Sequence, residues 1–177
     1  MRSMEIDLTK KFELIYRKES DAIFRFCLLR VSNRESALDI TQETFMRFWQ
    51  SLQKEKEILS NKAFLFTIAH RLIIDWYRKK KSLSLDKMLD NEDGADYEVE
   101  DQMTTEGKLE SIAEGRFLVE KINELPSSYR HPLYLRFVED LSPNEIAEIM
   151  GVSINAASVR INRGLIELRK ITGYETK

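Results

Sequence analysis

Apolar residues recur at spacings of three and four along most of this chain, and this helical periodicity constrains the fold more than any other feature. No run alternates apolar and polar residues for long enough to indicate a β-strand, and the chain contains only 6 glycines. Hydrophobic residues make up 42% of the sequence, which is ample for packed cores. The sequence therefore predicts an all-α fold.

Charged residues are distributed unevenly and divide the chain into three parts. Residues 1–81 contain 17 Lys and Arg against 11 Asp and Glu, a net charge of +6. Residues 82–114 contain 2 against 11, a net of −9, and residues 115–177 contain 9 against 8, a net of +1. We expect a basic N-terminal domain in residues 1–81 that could meet nucleic acid and a second helical domain in residues 108–177. Residues 82–107 lose the helical period and are predicted to form an acidic flexible linker.

Three helices are predicted in the N-terminal domain. In the first, one stripe carries Phe12, Ile15, Tyr16, Ile23, Phe26 and Cys27, and the exposed face carries Arg17, Lys18, Arg25 and Arg30. Ser32 and Glu35 have the spacing of a capping box, which predicts the start of the second helix. The third helix is predicted over residues 62–81, with a packing stripe of Phe64, Ile68, Leu72 and Trp76. The positive charges at its C-terminus, Arg78–Lys81, also interact favourably with the helix dipole.

The sharpest local signal lies near the C-terminus. Ser142, Pro143 and Glu145 combine a cap, a proline at the first helical position and a glutamate at the third. The helix is predicted to end at Gly151, where small residues permit close helix approach, and Ser153 is predicted to cap a second helix. This pattern resembles a DNA-reading helix-turn-helix, although it also fits an ordinary helical hairpin. The candidate DNA contacts are Ser153, Asn155, Ala156, Ser158, Val159, Arg160, Asn162 and Arg163.

Three stretches, in order, carry a resemblance to a known family. Residues 38–49 read LDITQETFMRFW, residues 63–81 read AFLFTIAHRLIIDWYRKKK, and residues 125–170 include LSPNEIAEIMGVSINAASVRINRGLIELRK. Together they resemble the extracytoplasmic-function sigma factors of the sigma-70 family. The resemblance implies two small helical domains, namely region 2 in residues 1–81 and a region 4 helix-turn-helix in residues 108–177.

The resemblance also implies roles for particular residues. The face predicted to dock on the clamp coiled coil of RNA polymerase comprises Leu38, Asp39, Gln42, Glu43 and Met46. The third helix and the loop before it would capture unpaired bases of the minus-ten element, and the candidates are Phe64, His70, Arg71, Asp75, Arg78, Lys79, Lys80 and Lys81. Packing is the favoured interpretation for Phe64. Region 4 would contact the polymerase flap and the minus-thirty-five element.

Three positions depart from the family pattern. His70-Arg71 stands where the second residue is usually asparagine, which changes the expected minus-ten preference because Arg cannot accept a hydrogen bond. Ser158 stands where lysine is frequent. Gly164 stands where alanine is usual, and it is expected to cost about 1 kcal/mol of helix stability.

The resemblance implies an alternative sigma factor that directs core polymerase to promoters and catalyses no reaction itself. It would be a monomer when free, with an anti-sigma factor as a further partner. The main alternative is a one-component helix-turn-helix regulator that acts without polymerase, and another is a polymerase-bound adaptor without promoter recognition.

The sequence disfavours an enzyme. It has only two histidines, His70 and His131, no phosphate-cradling glycine loop and no metal-ligand spacing, so no cofactor or metal is expected. Cys27 is the single cysteine, so no internal disulfide can form, as is typical of a reducing cytosol. The N-terminal residues predict neither a signal peptide nor a spanning helix, and we expect a cytoplasmic protein without membrane insertion.

Overall fold

The computed structural model of the protein describes residues 2–54, 57–85 and 113–173. The chain divides into two compact units, Met1–Ala95 and Asp96–Lys177. Within the described ranges every regular element is a helix and there is no strand, so the predicted all-α fold is confirmed. The predicted linker, residues 82–107, lies outside the described residues beyond Leu85.

In its described residues the first unit contains three helices that pack against one another in pairs: α1 (Arg2–Val31), α2 (Arg34–Gln53) and α3 (Asn61–Leu85). Their shared core includes the fully buried side chains of Ile23, Phe26, Phe48, Phe66 and Ile73. The rings of Phe26 and Phe66 meet edge to face with centroids 5.1 Å apart. Burying each such side chain stabilises the unit by about 1.5–3 kcal/mol, so the helices hold each other in place.

The turn between α1 and α2 differs from the prediction. Ser32 has a left-handed φ of 51°, and its N–H donates to the Leu28 carbonyl oxygen over 3.0 Å, which ends α1. The side chain that caps α2 is Asn33, whose Oδ1 accepts a hydrogen bond from the Ser36 N–H at 2.8 Å. The predicted capping box of Ser32 and Glu35 is wrong, because the cap lies one residue later.

The buried face of α3 is offset from the predicted stripe. Its fully buried residues are Leu65, Phe66, Ala69 and Ile73, whereas Phe64, Leu72 and Trp76 are only partly buried. A strict four-residue repeat drifts around a helix that turns every 3.6 residues, so the two ends of such a stripe leave the core-facing side. The helix also continues one turn beyond the predicted end at Lys81, to Leu85.

The prediction for α1 is wrong at Arg30, which was expected on the exposed face. Its side chain is only 9% exposed, and its guanidinium carbon lies 5.8 Å from the centroid of the Phe26 ring. Arg30 Nη1 also lies 3.2 Å from His70 Nδ1. A buried guanidinium is stable only where its N–H groups find partners, and this one joins α1 to α3.

The second unit contains α4 (Ala113–Asn123), α5 (Ser127–Leu133), α6 (Pro143–Met150) and α7 (Ile154–Thr172). Pro132 lies near the end of α5, and a π-helical turn follows directly over Tyr134–Val138. The Glu139 N–H donates to the Tyr134 carbonyl oxygen at 3.3 Å, five residues back. Proline lacks an N–H and disturbs the α-helical ladder, which accounts for the change of helix type at this point.

Gly151 ends α6 as predicted, but the close helix approach predicted there occurs at Gly164 instead. Gly151 has a φ of 65°, and a Cβ built there meets no atom within 4 Å, so it provides a left-handed cap rather than close approach. Gly164 is the residue of close approach. A Cβ at Gly164 would lie 2.8 Å from Leu133 Cδ1 and 3.1 Å from Tyr129 Cβ, so a side chain there would separate α7 from α5.

Candidate functional site

The outward face of α2 brings together the five residues predicted to dock on a partner. Leu38 and Met46 are 41% and 58% exposed, Asp39 and Gln42 are exposed, and Glu43 is half-buried. Their spacings of three and four place them on one side of the helix. Glu43 Oε1 accepts from Arg47 Nε at 2.7 Å, which holds that carboxylate along the helix surface. The face combines apolar side chains with acceptors, as protein-binding surfaces commonly do.

An apolar groove of about 490 Å³ adjoins this face between α1 and α2. It is lined by Thr9, Phe12, Tyr16, Gln42, Phe45, Met46 and Trp49. The Phe12 and Trp49 centroids are 5.2 Å apart, and those of Tyr16 and Phe45 are 4.7 Å apart. Phe12, Tyr16 and Trp49 were not predicted at a functional surface, because apolar periodicity does not distinguish a groove from a closed core.

The outward face of α3 carries a row of charged side chains. Arg71, Asp75, Arg78, Lys79, Lys80 and Lys81 are all exposed. Arg78 Nη1 lies 3.7 Å from Asp75 Oδ1, and Lys80 Nζ lies 5.1 Å from the Trp76 ring centroid. The positive charge concentrates in the last three turns of α3, where it can attract phosphate groups.

Two of the predicted minus-ten residues are not fully presented at the surface. His70 is only 8% exposed and faces Arg30, so its side chain is not presented at the surface. Burial, followed by the positive charges of Arg30 and Arg71, lowers the pKa of His70 from 6.5 to about 4. Phe64 is half-buried with its ring centroid 6.3 Å from that of Phe48, in line with the packing interpretation.

In the loop between α2 and α3 the structure describes the residues up to Lys54 and from Glu57 onwards. Leu59 in this loop is 96% exposed. The Ser60 hydroxyl accepts from the Ala63 N–H at 3.2 Å and so caps α3. The cap positions Leu59 just outside the helix, in the loop to which the resemblance assigns the capture of unpaired bases.

The predicted helix-turn-helix is present as α6, the turn at Gly151 and α7. The capping box is confirmed: Ser142 Oγ accepts from the Glu145 N–H at 3.3 Å, and Glu145 Oε2 accepts from the Ser142 N–H at 2.9 Å. Ser153 Oγ accepts from the Ala156 N–H at 3.2 Å and caps α7, as predicted. The two helices therefore start where the sequence indicates.

The predicted minus-thirty-five residues occupy the first half of α7 and its cap. Ser153, Asn155, Val159, Asn162 and Arg163 are exposed, and Ala156, Ser158 and Arg160 are half-buried. In the described part of the chain neither Arg160 nor Arg163 forms a salt bridge. Their guanidinium groups are therefore available for phosphates or base edges. The opposite side of α7 packs through Ala157, Ile161 and Leu168.

The described residues contain no group of three His, Cys, Asp or Glu side chains arranged to hold a metal ion. Cys27 is buried, and burial raises the pKa of its thiol to about 12, so the thiol stays protonated and unreactive. None of the described helices has the length and apolar character required to cross a membrane.

Comparison with known proteins accounts for both units. Residues 15–83 match the family profile described as Sigma-70 region 2, and residues 118–168 match Sigma-70, region 4. The RNA polymerase sigma factor YlaC of Bacillus subtilis is 30% identical over 158 residues, covering 89% of this chain and 90% of that protein. This chain belongs to the sigma-70 family. The extracytoplasmic-function sigma factor SigW of the same organism is 29% identical to it, covering 94% of this chain and 97% of SigW.

Solved structures share the fold of this sigma factor. The sigma factor RpoE from Bartonella quintana, solved in complex with the anti-sigma factor NepR, superimposes with a TM-score of 0.67 at 23% identity over 94% of this chain and 99% of that chain. CnrH, solved with the cytosolic domain of CnrY, gives a TM-score of 0.60 at 17% identity over 99% and 98%. At this level of sequence identity the likeness shows a shared helical fold alone.

Proposed function

We propose that this sigma factor directs core RNA polymerase to specific promoters through three surfaces: the outward face of α2, the outward face of α3 and the first half of α7. The observation that carries the proposal is that one chain contains both sigma-70 regions in order and exposes most of the candidate residues of each. The chain supplies specificity, and the polymerase supplies the chemistry.

The face of α2 is proposed to dock on the clamp coiled coil. Exposed Leu38 and Met46 give a partner helix apolar area to bury, and Asp39, Gln42 and Glu43 offer acceptors around it. The groove beside Met46 extends this area to α1 and can receive an apolar side chain of the partner. A helix laid along such a face is a common mode of recognition.

The outward face of α3 is proposed to hold the opened minus-ten strand. Opening a duplex costs stacking of about 1.4 kcal/mol per base step, so melting proceeds only if the protein binds the separated strand. Exposed Leu59 and the partly buried Trp76 lie at opposite ends of this region as apolar surfaces, on which bases can stack. Arg78 and Lys79–Lys81 supply attraction for the phosphates.

The first half of α7 is proposed to enter the major groove of the minus-thirty-five element. Arg160, Asn162 and Arg163 have the donors and acceptors that read base edges, and Ser153 sits at the helix N-terminus. Region 4 is also proposed to contact the polymerase flap. The working boundaries are region 2 in residues 1–81, an acidic linker in residues 82–107 and region 4 in residues 108–177.

Two further features of the proposal follow from the family. An anti-sigma factor is a proposed partner, since RpoE and CnrH, which share the fold, were each solved with another protein bound. The free protein is proposed to be a cytoplasmic monomer. In this proposal promoters are selected by the assembled holoenzyme and not by the free protein.

The test is run-off transcription with purified core polymerase on fragmented genomic DNA. A sigma factor produces new, discrete start sites that core alone does not use. A polymerase-bound adaptor binds core without creating start sites, and a one-component regulator binds DNA without core. Either of those results would overturn the proposal.

A further inference from the structure

The exposed row on α3 contains two arginines, Arg71 and Arg78, which differ in their contacts with the described part of the chain. Arg71, Asp75 and Arg78 follow at spacings of four and three and so share a face. Arg78 is paired with Asp75 at 3.7 Å. In the described part of the chain no hydrogen bond or ion pair engages Arg71, whose side chain is exposed. Its planar set of five N–H donors therefore faces outwards.

The helix beneath Arg71 is anchored on both sides by one residue of α1. Arg30 Nη1 contacts buried His70 Nδ1 at 3.2 Å, and the Arg30 carbonyl oxygen accepts a hydrogen bond from the Tyr77 hydroxyl. His70 and Tyr77 are seven residues apart, two helical turns, and fully buried Ile73 lies between them. The backbone that carries Arg71 is thus fixed against α1, and a guanidinium on a rigid element can discriminate between bases.

The position of Arg71 also separates it from the lysines of the same helix. Lys79–Lys81 lie eight to ten residues further on, about 12–15 Å along the helix axis. The lysines carry point charges suited to phosphate, whereas arginine presents a fork that matches O6 and N7 of guanine. The two groups therefore meet different nucleotides and make different kinds of contact.

We propose that Arg71 is a specificity-determining residue that reads one guanine in the downstream promoter element, while the lysines of α3 contact the backbone. The inference rests on the proposed function, because it requires α3 to face that element in the holoenzyme. It adds the identity of one base and the residue that selects it.

The experiment is run-off transcription with reconstituted holoenzyme on a library of promoters randomised across the downstream element, followed by sequencing of the transcribed templates. The wild-type protein is expected to select guanine at one position by about 10- to 100-fold over the other bases. Arg71→Lys keeps the charge and removes the fork. It should abolish the selection at that position and leave the preference at every other position unchanged.

The matched control is Arg17→Lys, which makes the same substitution at an exposed arginine of α1 that pairs with Glu13 at 2.6 Å. This control should keep the guanine preference. A phosphate contact would behave differently: Arg71→Ala would lower transcription from all library members alike, and Arg71→Lys would restore it. That pattern, or a guanine preference retained by Arg71→Lys, would overturn the inference. If wild-type holoenzyme selects no promoters at all, the proposed function fails instead.

Discussion

At the scale of single residues, His70 shows how one buried side chain ties stability to pH. Its Nδ1 faces a guanidinium donor of Arg30 at 3.2 Å, so the ring is accommodated as the neutral form. In the folded protein its pKa is lowered to about 4 from an ordinary 6.5. The unfolded chain therefore binds a proton between these values that the folded protein does not. The stability that depends on neutral His70 is fully present above pH 6.5 and decreases as the pH falls towards 4. It changes no further below that pH.

We expect His70→Gln to remove this part of the pH dependence, because glutamine can accept from Arg30 but does not titrate. The difference in the free energy of unfolding between wild type and variant should change by about 3 kcal/mol between pH 7 and pH 4. Urea denaturation followed by tryptophan fluorescence measures it. Both tryptophans of the chain, Trp49 and Trp76, lie in the first unit, so the signal reports that unit. Parallel pH profiles for the two proteins would contradict the prediction.

Gly164 gives a second prediction at this scale. Helix propensity alone favours Gly164→Ala by about 1 kcal/mol. However, the new Cβ would lie 2.8 Å from Leu133 Cδ1, and Leu133 is fully buried, so packing strain of about 1–3 kcal/mol opposes the gain. We expect Gly164→Ala to lower the free energy of unfolding by about 1 kcal/mol, measured by urea denaturation with circular dichroism.

A double-mutant cycle identifies the cause of that loss. In a Leu133→Ala background the two closest atoms, Leu133 Cδ1 and Cγ, are absent and only the Tyr129 Cβ contact at 3.1 Å remains, so adding Gly164→Ala should cost less than it does in the wild-type background. The same loss in both backgrounds would show that contact with Leu133 is not the reason for the glycine.

At the scale of elements, substitutions on the outward face of α2 should change binding to core polymerase without changing the stability of the fold. Gln42 and Glu43 make no contribution to the buried core of their helix, and alanine is a good helix former. We expect the double variant Gln42→Ala, Glu43→Ala to keep its urea midpoint while its affinity for core polymerase falls by at least tenfold. Titration of fluorescently labelled protein with core polymerase measures the affinity.

The matched control for that variant is Glu13→Ala in α1. It also removes a surface ion pair, between Glu13 Oε1 and Arg17 Nη2 at 2.6 Å, and Glu13 lies neither on the face of α2 nor in the lining of the adjoining groove. The control should bind core polymerase as tightly as wild type. Equal affinity for the double variant and the control would remove Gln42 and Glu43 from the docking surface.

At the scale of the whole molecule, assembly state distinguishes a sigma factor from a one-component regulator. We expect the free protein to sediment as a single species of 20.9 kDa. We also expect it to protect promoter DNA from nuclease only when core polymerase is added. A dimer that protects two half-sites without polymerase would contradict this prediction, because paired helix-turn-helix units read repeated half-sites.

The sequence predictions that proved correct depend on interactions between residues close together in the chain. The boundaries of α6 and α7 follow from Ser142, Pro143, Gly151 and Ser153, since each acts within one helical turn. The all-α class follows in the same way from the spacing of apolar residues. Membership of the family was visible in the motifs, and the profile matches confirm it.

Only the tertiary structure decided which side chains face inwards where helices meet. Arg30 and His70 are polar and looked like surface residues, but α1 and α3 bury them against each other. Gly164 looked like a weak point in α7, and it is the place where α5 comes closest. The physical reason is that burial and close approach depend on pairs of residues far apart in sequence, whereas caps and periodicity are properties of neighbouring residues.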